Sequence, residues 1–278
     1  MSTIYRDFSQ AALDAAYNNR AVEPRLAQIR DDWAQRSRTL YARARVSRDL
    51  AYGPGPRQRL DFFSAPRAGR PTVAFIHGGY WQGNEKEAYA FVAEGPLTHD
   101  LNVALIEYTL APAARMTAIV AEIGAAMAWL CGRLQTEFEA GPGLVVAGHS
   151  AGGHLTAMAA GLPGVTAALP ISGLFDLEPI RLSYLNQPLK MDIAEAGANS
   201  PISLSYPVVP QTVAVGEAEL PELVRQSREF AAALVAAGRP SQLLLLPGDN
   251  HFSILEQLAR PDGALCRETL RLATAQPA

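Results

Sequence analysis

A chain of 278 residues, 49% hydrophobic and 18% charged, carries enough apolar material for a buried core and too much to remain disordered. Its 24 Lys and Arg against 27 Asp and Glu give a net charge of −3, which leaves no basic surplus for nucleic acid. Cys131 and Cys266 make no disulfide framework, Arg6, Asp7 and Asp14 interrupt the N-terminal stretch, and no run reaches the ~18 apolar residues of a membrane span. A cytoplasmic setting with no membrane partner is the expectation, and one domain over 1–278 suits the length.

Residues 1–48 read as a helical N-terminal extension. Apolar side chains recur every three or four positions across 8–17 and 24–44, including Leu26, Ile29, Trp33 and Leu40, and Pro24 suits a first helical turn. Short β-rich segments follow at 50–52 and 60–63, separated by the turn cluster Gly53-Pro54-Gly55-Pro56. Apolar runs then appear at 72–76, 103–108, 144–147, 167–171, 212–215 and 242–246. Helical periodicity fills most of the gaps, notably at 117–138, 151–160 and 221–237. Unbroken apolar strands between helices are what a sheet covered on both faces requires, so the fold class is α/β with a doubly wound, mostly parallel sheet. Residues 175–205 break the alternation with Pro179, Pro188, Pro201 and short helical pieces. They are expected to form either a cap or lid over the C-terminal ends of the strands or a plain long connection. A closing helix is expected over 261–273.

Gly148-His149-Ser150-Ala151-Gly152 lies between the run at 144–147 and the helix that follows. A serine on so sharp a strand-to-helix turn is exposed at a helix N-terminus, and small neighbours let the chains pass. Ser150 is therefore the candidate nucleophile. Upstream, His77-Gly78-Gly79-Tyr80-Trp81 follows the strand at 72–76. Two glycines let main-chain N–H groups approach a substrate, so Gly78, Gly79 and Ala151 are the candidate oxyanion donors. Tyr80 and Trp81 are candidates for the substrate wall, with core packing under the loop as the other reading.

Five histidines compete for the role of base. His149 and His154 sit beside the nucleophile on its own turn and helix, His77 is expected to brace the glycine loop, and His99 lies in a polar loop and is expected to be solvated. His251 follows the last strand and comes last in the order serine, acid, histidine, which makes it the candidate base. The acid is expected after the strand at 212–215, where Glu219 is preferred to Glu217. Asp176, expected to cap a short helix, and Asp249, too local to His251, are weaker candidates. No H-E-x-x-H, no G-x-x-x-x-G-K-[ST] and no G-x-G-x-x-G after a strand occurs, so no metal and no nucleotide cradle is indicated.

The chain resembles the kynurenine formamidase (arylformamidase) branch of the α/β-hydrolase superfamily, near the hormone-sensitive-lipase-like esterases. The bearing residues are His77–Trp81, Gly148–Leu155, Val215–Glu222 and Asn250-His251-Phe252, with Tyr17-Asn18-Asn19-Arg20, Tyr52-Gly53 and Arg59-Leu60-Asp61 upstream. The family commonly has aspartate where Glu219 stands. The resemblance implies an α/β-hydrolase fold, hydrolysis of N-formyl groups on aromatic amines or of small aryl and short-acyl esters, and neither metal nor organic cofactor. It also implies a small-molecule partner and a homodimer by family habit. Two other readings stand beside it: a carboxylesterase without formamidase activity, and a ligand-binding α/β-hydrolase without catalysis.

Overall fold

The apolar runs pair side by side in a computed structural model that describes residues 3–275. The strands are β1 (Val46–Ala51), β2 (Arg59–Phe63), β3 (Thr72–Ile76), β4 (Asn102–Ile106), β5 (Leu144–His149), β6 (Ala167–Ile171), β7 (Gln211–Gly216) and β8 (Ser241–Leu246). They form one 8-stranded sheet in the order β1-β2-β4-β3-β5-β6-β7-β8. The pairs β1/β2 and β2/β4 are antiparallel and every later pair is parallel. From β3 to β7 every strand residue is buried, because helices cover both faces. Strand alternation divides the side chains between two cores: Ala74, Ile76 and Val146 face one, Val73, Phe75 and Val145 the other.

The expected elements differ mainly at their ends. β1 begins at Val46, ahead of the β-rich residues at 50–52, because an edge strand can carry Ser47, Arg48 and Asp49 facing solvent. Its register shifts between Ser47 and Leu50, where Asp49 adopts φ 53°. The helix expected at 117–138 is Met116–Cys131, and Pro24 lies in a turn before the helix Leu26–Arg43 rather than inside it. The closing helix is Ala264–Thr274.

The N-terminal extension is docked by both packing and charge. In its long helix Trp33 stacks on Phe91, 4.8 Å between ring centres, and Arg36 pairs with Glu94 and Glu256 at 2.7 and 2.9 Å. The short helix Gln10–Ala16 buries Leu13 and leads to Tyr17, whose hydroxyl donates to Glu222 at 3.1 Å. Tyr5 donates to Asp176 at 2.8 Å. Residues 175–205 contain only short helices, Glu178–Leu182, Asn186–Leu189, Ile193–Ala198 and the 3-10 turn Pro201–Ser203. They pack on the extension, where Asp14 accepts from the Tyr184 N–H, and on the Met116–Cys131 helix through Asn199 and Thr117. Among the described residues no helix is long and apolar enough to cross a membrane.

Candidate active site

The sheet ends its central strands at one place, and the chemistry gathers there. β5 stops at His149 and a helix starts at Ala151; Ser150 bridges them with φ 58° and ψ −118°. Such a conformation costs of order 1–3 kcal/mol in a non-glycine residue and persists only where neighbours impose it. Here the Ser150 N–H is tied to the Ile171 carbonyl at 2.8 Å and its own carbonyl starts the helix. A side chain at Gly152 would lie 2.0 Å from the Ile76 carbonyl, so the helix can close on β3 only with glycine there.

His251 arrives from β8 through a loop shaped by Asn250, whose Oδ1 accepts the N–H groups of Phe252 and Ser253, each at 2.9 Å. Its Nε2 stands 3.0 Å from the Ser150 hydroxyl and its Nδ1 2.6 Å from Glu219 Oε2. The other Glu219 oxygen accepts from the Ser172 hydroxyl at 2.5 Å and the Gly216 N–H at 3.0 Å. The three groups form a continuous chain of hydrogen bonds buried from solvent, with the carboxylate anchored at both oxygens. Glu217 points into solvent. Asp176 is engaged by Tyr5 and the Glu178 N–H, and Asp249 by Ser253 and Gln257, so neither reaches His251.

The remaining histidines have separate tasks. His149 donates from Nε2 to the His251 main-chain carbonyl at 2.8 Å, ring centres 4.6 Å apart. Burial, reinforced by the neighbouring His251, drives its pKa well below the usual imidazole range, so it holds its neighbour without competing for the proton. His154 donates to the Asn199 carbonyl at 2.8 Å and is pushed down to about 4 by burial. His77 faces Glu107 at 2.9 Å and the Gly78 carbonyl at 2.8 Å, which braces the glycine loop as expected. Burial raises the Glu107 carboxyl, yet His77, the Lys86 N–H and Arg57 outweigh it and bring it down to about 2. His99 is half-buried and bonded to the Pro261 carbonyl at 2.8 Å, rather than solvated.

Gly79 has φ 121°, and Tyr80 and Trp81 follow with φ 52° and 57°. This left-handed run turns the chain sharply after β3. Among the described residues the N–H groups of Gly78, Gly79 and Ala151 donate to no protein acceptor, which leaves them available to a ligand oxygen. The same turn sends Tyr80 and Trp81 in opposite directions. Tyr80 lines the cavity over Ser150, its hydroxyl donating to the Tyr17 carbonyl at 2.6 Å and accepting from Asn19 at 3.1 Å. Trp81 corrects the expectation of a second wall residue: it is fully buried in the core, edge-on to His154 at 5.0 Å. Of three further aromatics, Phe252 lines the cavity, Phe175 is buried against Phe230, and Tyr184 stands 46% exposed.

The floor of the cavity comes from Gly79, His149, Ser150 and His251, and its sides from Tyr80, Tyr89 and Phe252. Its roof is the N-terminal extension, through Asn19, Arg20, Arg30 and Trp33; residues 175–205 supply none of the lining. Motif reading missed the roof and missed Ser172, which sits just past β6 with φ 50°. The Tyr17-Asn18-Asn19-Arg20 stretch was the only signal for the roof. Among the described residues no group of three His, Cys, Asp or Glu is arranged to hold a metal ion.

A mostly parallel sheet of this order, with a serine on the turn after β5 and a histidine after β8, defines an α/β-hydrolase. The BD-FAE family model matches residues 60–175. Kynurenine formamidases from Danio rerio and Salmo salar are 31% and 32% identical to this chain, covering 81% of it and 80% and 81% of themselves. A solved structure from Silicibacter sp. TM1040, provisionally assigned as a thioesterase, superposes with a TM-score of 0.83 at 30% identity, covering 95% of this chain and 99% of that one. The chain belongs to the kynurenine formamidase family and is a hydrolase.

Proposed function

We propose that the chain hydrolyses N-formyl groups on small aromatic amines, of the N-formylkynurenine kind, together with short-acyl aryl esters. The observation that carries this is the Ser150–His251–Glu219 chain opening into a cavity walled by Tyr80, Tyr89 and Phe252. Ser150 attacks the formyl carbon while His251 takes its proton, and Glu219 keeps the imidazole in the tautomer that can do so. The negative oxygen of the tetrahedral intermediate sits on the N–H groups of Gly78, Gly79 and Ala151. Each such donor is worth ~2.7–4 kcal/mol in the transition state. His251 returns the proton to the departing amine as the carbon–nitrogen bond breaks. Water, activated by the same histidine, then attacks the formyl ester on Ser150, releasing formate and restoring the hydroxyl. Unpaired Cys131 and Cys266 suit the reducing cytoplasm as the place of action.

The test is turnover of N-formylkynurenine and of p-nitrophenyl acetate beside labelling with a fluorophosphonate probe. Formamide turnover and a label on Ser150 are expected. Ester turnover with the formamide untouched would make the protein a carboxylesterase, and an unlabelled Ser150 would remove the hydrolytic mechanism altogether.

A further inference from the structure

The ring that braces the glycine loop faces an acceptor at each of its nitrogens. His77 Nδ1 lies 2.8 Å from the Gly78 carbonyl and Nε2 lies 2.9 Å from Glu107 Oε1, with both side chains 1% exposed. A carbonyl oxygen can only accept. Glu107 is ionised as well, because donors converge on it from several sides. Arg57 at 2.7 Å and the Tyr108 N–H at 3.0 Å donate to the same oxygen as His77, and the Lys86 N–H at 2.9 Å donates to the other. A neutral imidazole carries hydrogen on one nitrogen alone. Either neutral tautomer would therefore set a bare lone pair against an oxygen in a buried place.

The surroundings suit a cation. The ring stacks on Tyr108 with centres 4.5 Å apart, and Tyr89 faces it at 5.8 Å, so aromatic faces meet the charge. Burial keeps both phenols neutral, pushing Tyr89 up to about 12 and Tyr108 well above its usual value. The charged groups of the cluster are Glu107, just past β4, and beyond it Arg57, from the turn between β1 and β2. The Gly78 carbonyl has a second donor, Asn84 Nδ2 at 3.1 Å. Across a trans peptide the carbonyl and the next N–H point in opposite directions, so two donors on the Gly78 oxygen turn the Gly79 N–H away from them. Gly79 lines the cavity over Ser150, and among the described residues its N–H meets no protein acceptor.

We infer that His77 is held as an imidazolium, a proton on each nitrogen, and that its charge, relayed through the Gly78 carbonyl to the Gly79 N–H, strengthens a donor that receives the oxyanion. The inference rests on the hydrolase reading above and adds a positioning residue to it. His77 touches no reacting atom and passes no proton. A charge-assisted bond to the carbonyl polarises the whole peptide, which leaves its N–H the better donor. The benefit is felt where negative charge develops, in the tetrahedral intermediate and the steps leading to it. It belongs to kcat and scarcely to the binding of a neutral acyl group.

The experiment reads the ring and the reaction separately. Imidazole nitrogen NMR of nitrogen-15-labelled wild type at about pH 7.5, with His77 assigned by its loss in His77→Asn, should show both His77 nitrogens protonated. In Glu107→Gln one of them should lose its proton. The amide of His77→Asn can still donate to the Gly78 carbonyl but carries no charge. Both variants should lower kcat by about 10- to 100-fold on N-formylkynurenine and p-nitrophenyl acetate, with KM within about twofold. Affinity for an aryl trifluoromethyl ketone, which binds a serine hydrolase as an oxyanion, should fall by the same factor as kcat. If Glu107→Gln does not fold, the wild-type spectrum and His77→Asn still decide. A neutral His77 in wild type that turns over substrate would overturn the inference and leave the hydrolase standing. So would a His77→Asn variant that keeps the wild-type kcat and ketone affinity, or one that loses KM and kcat alike. Fluorophosphonate labelling is run alongside: an unlabelled Ser150 with no turnover ends the hydrolase reading, and the oxyanion role of His77 with it, whatever the ring shows.

Discussion

The floor and the roof of the cavity are built in different ways. Ser150, His251 and Glu219 stand just beyond the C-terminal ends of β5, β8 and β7, so their positions follow from a sheet buried on both faces. The roof is carried by residues 19–33 of the extension and meets the sides through a few polar ties, chiefly Tyr80 to Tyr17 and Asn19, and Asn250 to Glu23. The floor can hold reacting atoms to fractions of an ångström because moving one of them means moving a strand. The roof can change what it admits while the sheet stays as it is. On the proposed function, the reaction is set below and the acceptance above.

The sharpest way to break this division is to act on the floor. Ser150→Ala should lower kcat/KM by about 10⁴–10⁶ with little change in melting temperature, measured on any substrate the enzyme accepts. Next in size is the contrast between two glutamates. Glu219→Gln should cost about 10³–10⁴ in kcat, because the imidazole loses the partner that fixes its tautomer, whereas solvent-exposed Glu217→Gln should stay within about threefold. A larger loss for Glu217→Gln would transfer the role of acid.

A third test loads the body beneath the floor by pH. His154, neutral and buried with its pKa at about 4 against 6.5 when unfolded, binds a proton more readily in the unfolded chain, so stability falls as pH drops from 6.5 toward 4. Glu107, at about 2 against 4.5, contributes stability present above 4.5 and lost as pH falls toward 2, of order 3 kcal/mol. Denaturant midpoints followed from pH 7 to 3 should decline in that order, and His154→Phe should flatten the first part. The smallest effect belongs to the roof. Tyr80→Phe removes the hydroxyl that accepts from Asn19 and donates to Tyr17, at about 1–2 kcal/mol of local stability. Faster hydrogen exchange over residues 10–33 with an almost unmoved global melting point is the expected result; a cooperative loss of the whole fold would mean that the roof is part of the floor's structure.

Much of the floor was legible in the sequence because its signals are local. Strands buried on both faces leave unbroken apolar runs, and the turn at Ser150 demands small residues at fixed spacing. Glu219 was legible by its offset after β7, while Ser172, which anchors it, was not, since a serine after a strand carries no distinguishing pattern. Trp81 was misjudged because sequence adjacency to Tyr80 says nothing about the left-handed run that sends the two rings apart. The roof escaped for a different reason. Its ties join residues such as Tyr17 and Tyr80 across 63 positions, and a contact of that range leaves no periodicity in either segment. The start of β1 was hidden likewise, since an edge strand facing solvent shows few apolar residues.

The anchoring of Tyr17 has a consequence for how the molecule comes together. Its hydroxyl is held by Glu222 and Gln226, 205 and 209 positions downstream, so this one anchor cannot form until the last third of the chain has been synthesised. Closing a loop of that length is slow compared with pairing neighbouring strands. On the ribosome the ties of the extension to Tyr80, Phe91 and Glu94 can form first and the Tyr17 hydroxyl is fastened afterwards, which makes this anchor one of the final events of folding.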